Sequence, residues 1–225
     1  MASDGSTPMR QAPFLAWPGW RHLRFASVLS LAAIAWVGWV YFGADALTTH
    51  RAARVRVHFN AELGIPFVPE AVVISLSIYL LFLAAPFIIR ERNDFFALFM
   101  TLNLVVLASG FGFLAVPAQL AYASPKDLGA FPGLFRLVDR LNLSYNLVPS
   151  LQVAMSVLCV AVFSGRAGSM GKLLLWCWAA AIAASTLMTH QEHVVGVVAG
   201  VGLALAAYQF IFLKRFNRQP GKRQS

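Results

Sequence analysis

Six apolar runs alternate with short polar segments along the chain. They cover residues 25–43, 71–89, 95–116, 149–164, 172–188 and 193–213. Most approach the roughly 20 residues that an α-helix needs to cross the hydrocarbon core of a bilayer. The pattern therefore predicts an all-α fold, a polytopic membrane protein built as a six-transmembrane helix bundle with short interfacial helices.

Two segments between the runs predict smaller helices at the membrane surface. Over residues 47–68, arginines and His58 stand among alanines and valines before two prolines, which indicates a short surface helix. In the connection 117–147, apolar residues at 134, 135, 138 and 141 recur on one helical face, while charged residues at 136, 139 and 140 take the other. That alternation predicts a second surface helix that caps the bundle.

Composition supports the membrane assignment. Hydrophobic residues make up 59% of the 225 residues and charged residues only 12%, against about 25% in an average soluble domain. The net charge of +9 does not indicate a nucleic-acid partner, because the basic residues sit in short segments between apolar runs. Cys159 and Cys177 both fall inside apolar runs, so we expect buried thiols and neither a disulfide nor a zinc site.

The basic residues also predict the topology. Most of the 18 Lys and Arg residues fall before residue 25, at 90–94, at 165–172 and after 213, which an even number of spans places on one side. By the positive-inside rule that side is the cytoplasm. We expect the membrane to be the inner membrane of the cell. We therefore expect a disordered or interfacial N-terminus (1–24), a membrane domain (25–213) and a basic cytoplasmic tail (214–225) that binds anionic lipid or only fixes topology.

Candidate chemistry is concentrated between the last two runs. Polar and ionisable groups within an apolar sequence are costly to bury in a membrane, so they indicate a functional site. The predicted topology places this site on the outer side of the membrane. The stretch contains Ser185, Thr189, His190, Gln191, Glu192 and His193.

A metal site is one interpretation of this stretch. His190 and His193 are three residues apart with Glu192 beside them, but Glu192 is out of phase with the His-Glu-x-x-His pattern and no third ligand is evident. We therefore predict no metal and no cofactor, and interfacial residues that cap a helix are the alternative.

Helical spacing gives the same stretch a structural interpretation. Residues 185, 189, 193, 196 and 200 would share one face of a continuous helix. Gly196 and Gly200 on that face form a small-x3-small pattern, which lets two helices approach closely.

Two short motifs resemble a known enzyme family. Pro149-Ser150-Leu151-Gln152 is followed about 30 residues later by Ser185-Thr186-x5-Glu192-x3-Gly196. This arrangement resembles the second and third motifs of the type-2 phosphatidic acid phosphatase superfamily, particularly the branch near inositol phosphorylceramide synthases. The resemblance spans residues 65–201 and includes Asn146 just ahead of the second motif. It implies phosphoryl transfer on a lipid phosphate at the membrane surface.

Position by position, the catalytic residues of that family are substituted. Gln152 stands where the family has its acid histidine, Glu192 where it has the nucleophilic histidine, and Gly196 where it has the orienting aspartate. The segment aligned with the first motif, 117–125, has neither Lys nor Arg. An amide delivers no proton near neutral pH. The usual phosphatase chemistry is therefore expected to be absent.

A modified site remains the alternative. Glu192 would need a cation to avoid repelling a phosphate dianion, supplied by Arg136, Arg140 or Lys126, or by protonated His190 or His193. We predict substrate contacts at Ser150, Ser185 and Asn146 from the resemblance, and at Arg136 and Arg140 as cations folding over the site. Both serines have an alternative role in bonding the backbone.

Two functional hypotheses follow. The first is a catalytically degenerate membrane protein that binds a lipid, a protein partner or a second copy of itself. The second is a lipid-phosphate phosphatase or phosphotransferase with a modified site around Glu192. Transport has little support, because no charged residue lies near the middle of a predicted span.

Overall fold

The computed structural model of the protein describes residues 13–122, 125, 127–141 and 145–214. Over these residues the chain is helical, with one isolated β-bridge between Val55 and Ala118. The α-helices are α1 (Trp20–Thr49), α2 (Val72–Leu76), α3 (Ile78–Ile88), α4 (Arg92–Ala115), α5 (Pro132–Leu141), α6 (Leu151–Ser164), α7 (Ser169–Met188) and α8 (Val194–Ala207). Two 3-10 helices, Asn60–Gly64 and Pro69–Ala71, precede α2, and the π-helix Tyr208–Phe212 continues α8.

Among the described residues, five helical segments are long and apolar enough to cross a membrane. They are Trp20–Thr49, Pro69–Ile88, Arg92–Ala115, Ser169–Met188 and Val194–Phe212. Each coincides with one of the apolar runs of the sequence. The protein is therefore an α-helical multi-pass membrane protein, as predicted, although the first helix starts at Trp20 and not at residue 25.

The remaining apolar run forms α6, the central helix. All of its residues except Gln152 and Met155 are buried, and α3, α4, α7 and α8 pack around it. Its 14 residues extend about 21 Å, against the roughly 30 Å of a hydrocarbon core. Because protein surrounds α6 on every side, its length is set by its neighbours and not by the lipid.

The first helix lies at the edge of the bundle and packs mainly on α4. Trp36 donates its indole N–H to the carbonyl of Asn103 at 3.1 Å. One helical turn further, Val40 occupies the space that a Cβ atom at Gly110 would need. Most of the outward face of α1 remains exposed and apolar, which suits contact with lipid.

The surface helix predicted for residues 47–68 is absent, and that prediction was wrong. After α1 ends at Thr49 the chain has no helix before the short 3-10 helix Asn60–Gly64, and Val55 donates its N–H to the carbonyl of Pro117. The arginines bind other parts of the protein: Arg51 donates to the carbonyl of Leu114 at 2.6 Å, and Arg54 lies 3.8 Å over the ring of Tyr145. These contacts hold the segment in an extended form.

The amphipathic surface helix of the second connection is confirmed as α5. Phe135 is buried against Phe67, whereas Arg136, Asp139 and Arg140 are exposed.

The continuous helix predicted across 185–200 was also wrong, because the chain breaks at residues 189–193. His190 adopts a left-handed conformation with φ 55° and donates its backbone N–H to Leu187, while Gln191 donates to Thr186. These two bonds form a Schellman motif, which ends an α-helix and usually has glycine at the left-handed position. Because the residue at this position is histidine, the sequence pattern does not predict the end of the helix.

Close packing at the two glycines of α8 is confirmed. A Cβ atom at Gly200 would lie 2.6 Å from the carbonyl oxygen of Ser150, and one at Gly196 would overlap the carbonyl oxygen of Leu147. Ser150 in turn donates its backbone N–H to the carbonyl of Gly196 at 2.9 Å. The start of α8 is thus in backbone contact with the start of α6.

We expect Gly200→Ala to destabilise the protein by about 1–3 kcal/mol, because the added methyl group must displace α6 backbone. Gly202→Ala is the matched control, since no atom lies within 4 Å of a Cβ atom there. It should be neutral, or stabilising by up to about 1 kcal/mol. Thermal unfolding of the purified variants in detergent measures both, and equal melting temperatures would contradict the packing described here.

Candidate functional site

The candidate site lies at one end of the bundle, where three connections meet. They are residues 50–68 between α1 and α2, residues 116–150 between α4 and α6, and residues 189–193 between α7 and α8. The backbone N–H of Val68 bonds the carbonyl of Met188, and Val55 pairs with Ala118. We call this region the polar end of the bundle.

The main feature of the polar end is a buried pair of Glu62 and His193. The imidazole Nδ1 of His193 lies 2.5 Å from Oε1 of Glu62, and the second oxygen, Oε2, accepts the backbone N–H of Val194 at 3.0 Å. Both side chains are almost completely buried. One carboxylate therefore holds the imidazole and also satisfies a free N–H in the first turn of α8, where a negative charge is favoured.

The surroundings of His193 fix its tautomer. Its Nε2 atom accepts the backbone N–H of Ala121 at 3.1 Å, so the neutral ring carries its proton on Nδ1 and donates it to Glu62. Burial lowers the pKa of His193, and the nearby charge of Glu62 opposes this shift. Both ring nitrogens are engaged and the side chain has no exposed surface.

Aromatic rings extend this pair toward the surface of the bundle. The ring of Tyr122 stacks on His190 at 4.0 Å and on His193 at 5.1 Å, and His58 lies 5.4 Å from His193. The Nε2 atom of His190 donates to the carbonyl of Ile65 at 2.9 Å. The two histidines singled out in the sequence are therefore brought together, but through Tyr122 and not on a helical face.

Glu192 is buried beside the start of α6. Burial raises the pKa of its carboxyl to about 8, and a hydrogen bond with Ser150 acts in the opposite direction. Its Oε2 atom has no hydrogen-bond partner among the described residues and would lie 3.0 Å from a Cβ atom at Gly196. The side chain is therefore largely protonated at neutral pH, which suits neither a nucleophile nor a general base.

The remaining residues of the two motifs bond to the protein itself. Gln152 donates its amide to the carbonyl and the hydroxyl of Ser75, both at 2.8 Å. Ser150 caps the N-terminus of α6 by accepting the N–H of Val153, and Ser185 donates to the carbonyl of Ile182 at 2.7 Å. Both serines thus have the backbone-bonding role that was the alternative to substrate contact.

The other predicted substrate contacts are divided between the interior and the surface. Asn146 is buried and donates its amide to the carbonyl of Tyr41 at 2.7 Å. Arg136 and Arg140 are exposed on α5, and over the part of the chain that the structure describes neither forms an ion pair with Glu192. Lys126, also named as a cation for the site, lies outside the described residues.

A metal centre has no obvious ligand set here. Within residues 13–122, 125, 127–141 and 145–214, no group of three His, Cys, Asp or Glu side chains is placed to hold a metal ion. The imidazoles of His190 and His193 instead stack on Tyr122.

Sequence inspection missed Glu62, Tyr122 and His58. Glu62 lies 131 positions from His193, within a segment whose prominent signal is its arginines. The one available clue is rarity: the chain has only 9 Asp and Glu residues, so a single acid in a connection of a membrane protein needs a partner.

Comparison with known proteins adds no family assignment. No family model matches the chain, and neither a curated protein nor a solved structure matches it.

We expect Glu62→Ala to lower the free energy of unfolding by about 2–4 kcal/mol, because it leaves His193 and the N–H of Val194 buried without their acceptor. Asp139→Ala is the control, since that carboxylate is exposed on α5. Thermal unfolding in detergent compares the two. Equal shifts in melting temperature would contradict the structural role given to Glu62.

A second prediction concerns the pH dependence of stability at Glu192. As the pH rises from 4.5, the ordinary pKa, to about 8, the unfolded chain releases a proton that the folded protein retains, so stability falls. Glu192→Gln keeps the shape of the side chain without titrating. It should resemble the wild type at about pH 5 and be more stable by roughly 2–4 kcal/mol at about pH 8. A difference in melting temperature between the two proteins that stays constant from about pH 5 to about pH 8 would contradict the burial of Glu192.

Proposed function

We propose that the protein is a catalytically degenerate relative of the lipid phosphate phosphatases and phosphotransferases, which binds a lipid or a protein partner in the membrane. The observation that carries this proposal is that residues of the candidate site are already bonded to other parts of the protein. His193 has no exposed surface and both of its ring nitrogens are bonded, and Gln152 is held by Ser75.

The electrostatics of the polar end support the proposal. Phosphoryl transfer depends mainly on cations and dipoles that stabilise a highly charged transition state. Glu192, at the aligned nucleophile position, has no cationic partner among the described residues. If ionised, it would repel a phosphate charge at ~4 Å by about 4 kcal/mol at an effective dielectric of 20.

The packing at Gly196 gives further support. In the related family this position orients the catalytic imidazole with an aspartate. Here a side chain at 196 would overlap the carbonyl oxygen of Leu147. The carboxylate that does bind an imidazole, Glu62, comes from a different connection and binds residue 193, one position beyond the aligned nucleophile.

The proposed topology has six spans, because α6 is counted in addition to the five long segments. Both termini lie in the cytoplasm, and the polar end faces outward from an inner membrane. It is supported by the distribution of Lys and Arg residues. It is also supported by the central position of α6, which runs from the polar end to the opposite end of the bundle.

An alternative function is lipid-phosphate hydrolysis or transfer with a modified site, favoured by the Glu62–His193 pair. A carboxylate on Nδ1 of an imidazole is the arrangement that activates histidine as a base or nucleophile. For that chemistry, the Nε2 atom of His193 would have to release the N–H of Ala121 and become accessible.

Activity assays separate the two functions. Purified protein is incubated with phosphatidic acid, a prenyl pyrophosphate and ceramide-type acceptors, and released phosphate and transferred headgroup are measured. We expect no turnover above a protein-free control. Turnover that disappears in His193→Ala and Glu192→Ala, and persists in the surface control Asp127→Asn, would overturn the proposal in favour of the alternative.

A further inference from the structure

A cavity of about 340 Å³ opens at the end of the bundle opposite the polar end. It lies where α4 begins, where α6 ends and where the π-helix Tyr208–Phe212 continues α8. Its volume is in the range of small-molecule sites. Neither the motif residues nor the Glu62–His193 pair contribute to it.

Among the described residues, the charged side chains of the cavity wall are two acids and one arginine. Arg166 donates to the Asp94 carboxylate at 2.8 Å and to the carbonyl of Val162 at 3.2 Å, so its guanidinium is already committed. Asp94 is almost completely buried, and Arg166 neutralises it. Glu91, the second acid of the wall, is exposed, and its carboxylate forms no ion pair or hydrogen bond with described residues. Among the described residues that line the cavity, Glu91 therefore has the one carboxylate without an ion-pair partner.

Two aromatic residues also line the cavity. Tyr208 and Phe212 stack with their ring centres 5.8 Å apart, and both line the cavity. They sit at the two ends of the π-helical turn, a widened form of helix that is frequent at functional sites. Aromatic faces together with a carboxylate are the usual environment for an organic cation, including quaternary ammonium groups.

We propose that this cavity binds an ammonium group that carries an apolar chain. The free carboxylate of Glu91 and the face of Tyr208 would hold the cation, and the buried wall at Val162 would contact the apolar part. An anion is disfavoured because Arg166, the one cation among the described residues of the cavity wall, is already paired with Asp94. A bare divalent ion is disfavoured because the described residues offer no three-ligand cluster. The site is separate from the proposed function of the polar end.

An ammonium group of this kind comes either from an aminophospholipid or choline-phospholipid headgroup, or from a free amine. The wild-type protein is reconstituted in nanodiscs of phosphatidylglycerol that contain phosphatidylethanolamine or phosphatidylcholine with the same acyl chains. Lipid retained after transfer to detergent is counted by native mass spectrometry. Selective retention of either zwitterionic lipid over phosphatidylglycerol identifies a headgroup site. Thermal protection by hexyltrimethylammonium or hexylamine, without such retention, identifies a free amine.

Two variants and one control locate the binding. Glu91→Gln should weaken it about fivefold through loss of the charge alone. Gly165→Leu should abolish it by filling the cavity, since Gly165 lines the wall in an ordinary helical conformation that leucine also adopts. Asp139→Asn removes an exposed carboxylate on α5, outside the cavity, and should bind as the wild type does.

Several results would overturn the proposal. They are equal retention of all three lipids with no protection by free amines, or selective binding that Glu91→Gln and Gly165→Leu leave unchanged while both variants melt as the wild type does. A loss of binding in Asp139→Asn as large as that in Glu91→Gln would also overturn it. Phosphatase turnover at the polar end would refute the proposed function and leave this site untouched.

Discussion

The carboxylate of Glu62 joins the first connection of the chain to the start of its last helix. It accepts from the ring of His193 and from the backbone of Val194, and so replaces the water that would otherwise solvate both groups. Buried polar groups at the end of a membrane bundle are stable only when they are paired. The positions of Tyr122, His58 and His190 follow from this pair, because their rings stack against His193 or against each other.

Local patterns in the sequence predicted the apolar helices and the surface helix α5 well. Their signals, an apolar run or a two-sided periodicity, are complete within one segment. The prediction failed for residues 47–68, where Arg51 and Arg54 bind a distant carbonyl and a distant ring that no local pattern reveals. The prediction of a continuous helix failed at residue 190, because a histidine occupies the left-handed position at which glycine usually marks the end of a helix.

The contacts of the candidate site could be predicted only in part. The spacing of Gln152, Glu192 and Gly196 came from the resemblance, and the structure places all three around the contact between α6 and α8. The partner of His193 could not be predicted, because it depends on contacts across 131 residues of chain. The resemblance still rests on its motifs alone, since no known family, protein or structure matches the chain.

The two glycines of α8 also determine which parts of the protein are able to move. Gly196 and Gly200 bring the backbone of α8 against the start of α6. If the helices slid or rotated, a residue with a side chain would replace a glycine at this contact and clash with a backbone carbonyl. The two helices should therefore move as one rigid body. The first helix is different, because it meets the bundle mainly through α4. An outward movement of α1 away from α4 would accordingly open a lateral gap to the lipid, while the packing of α6 against α8 stays unchanged.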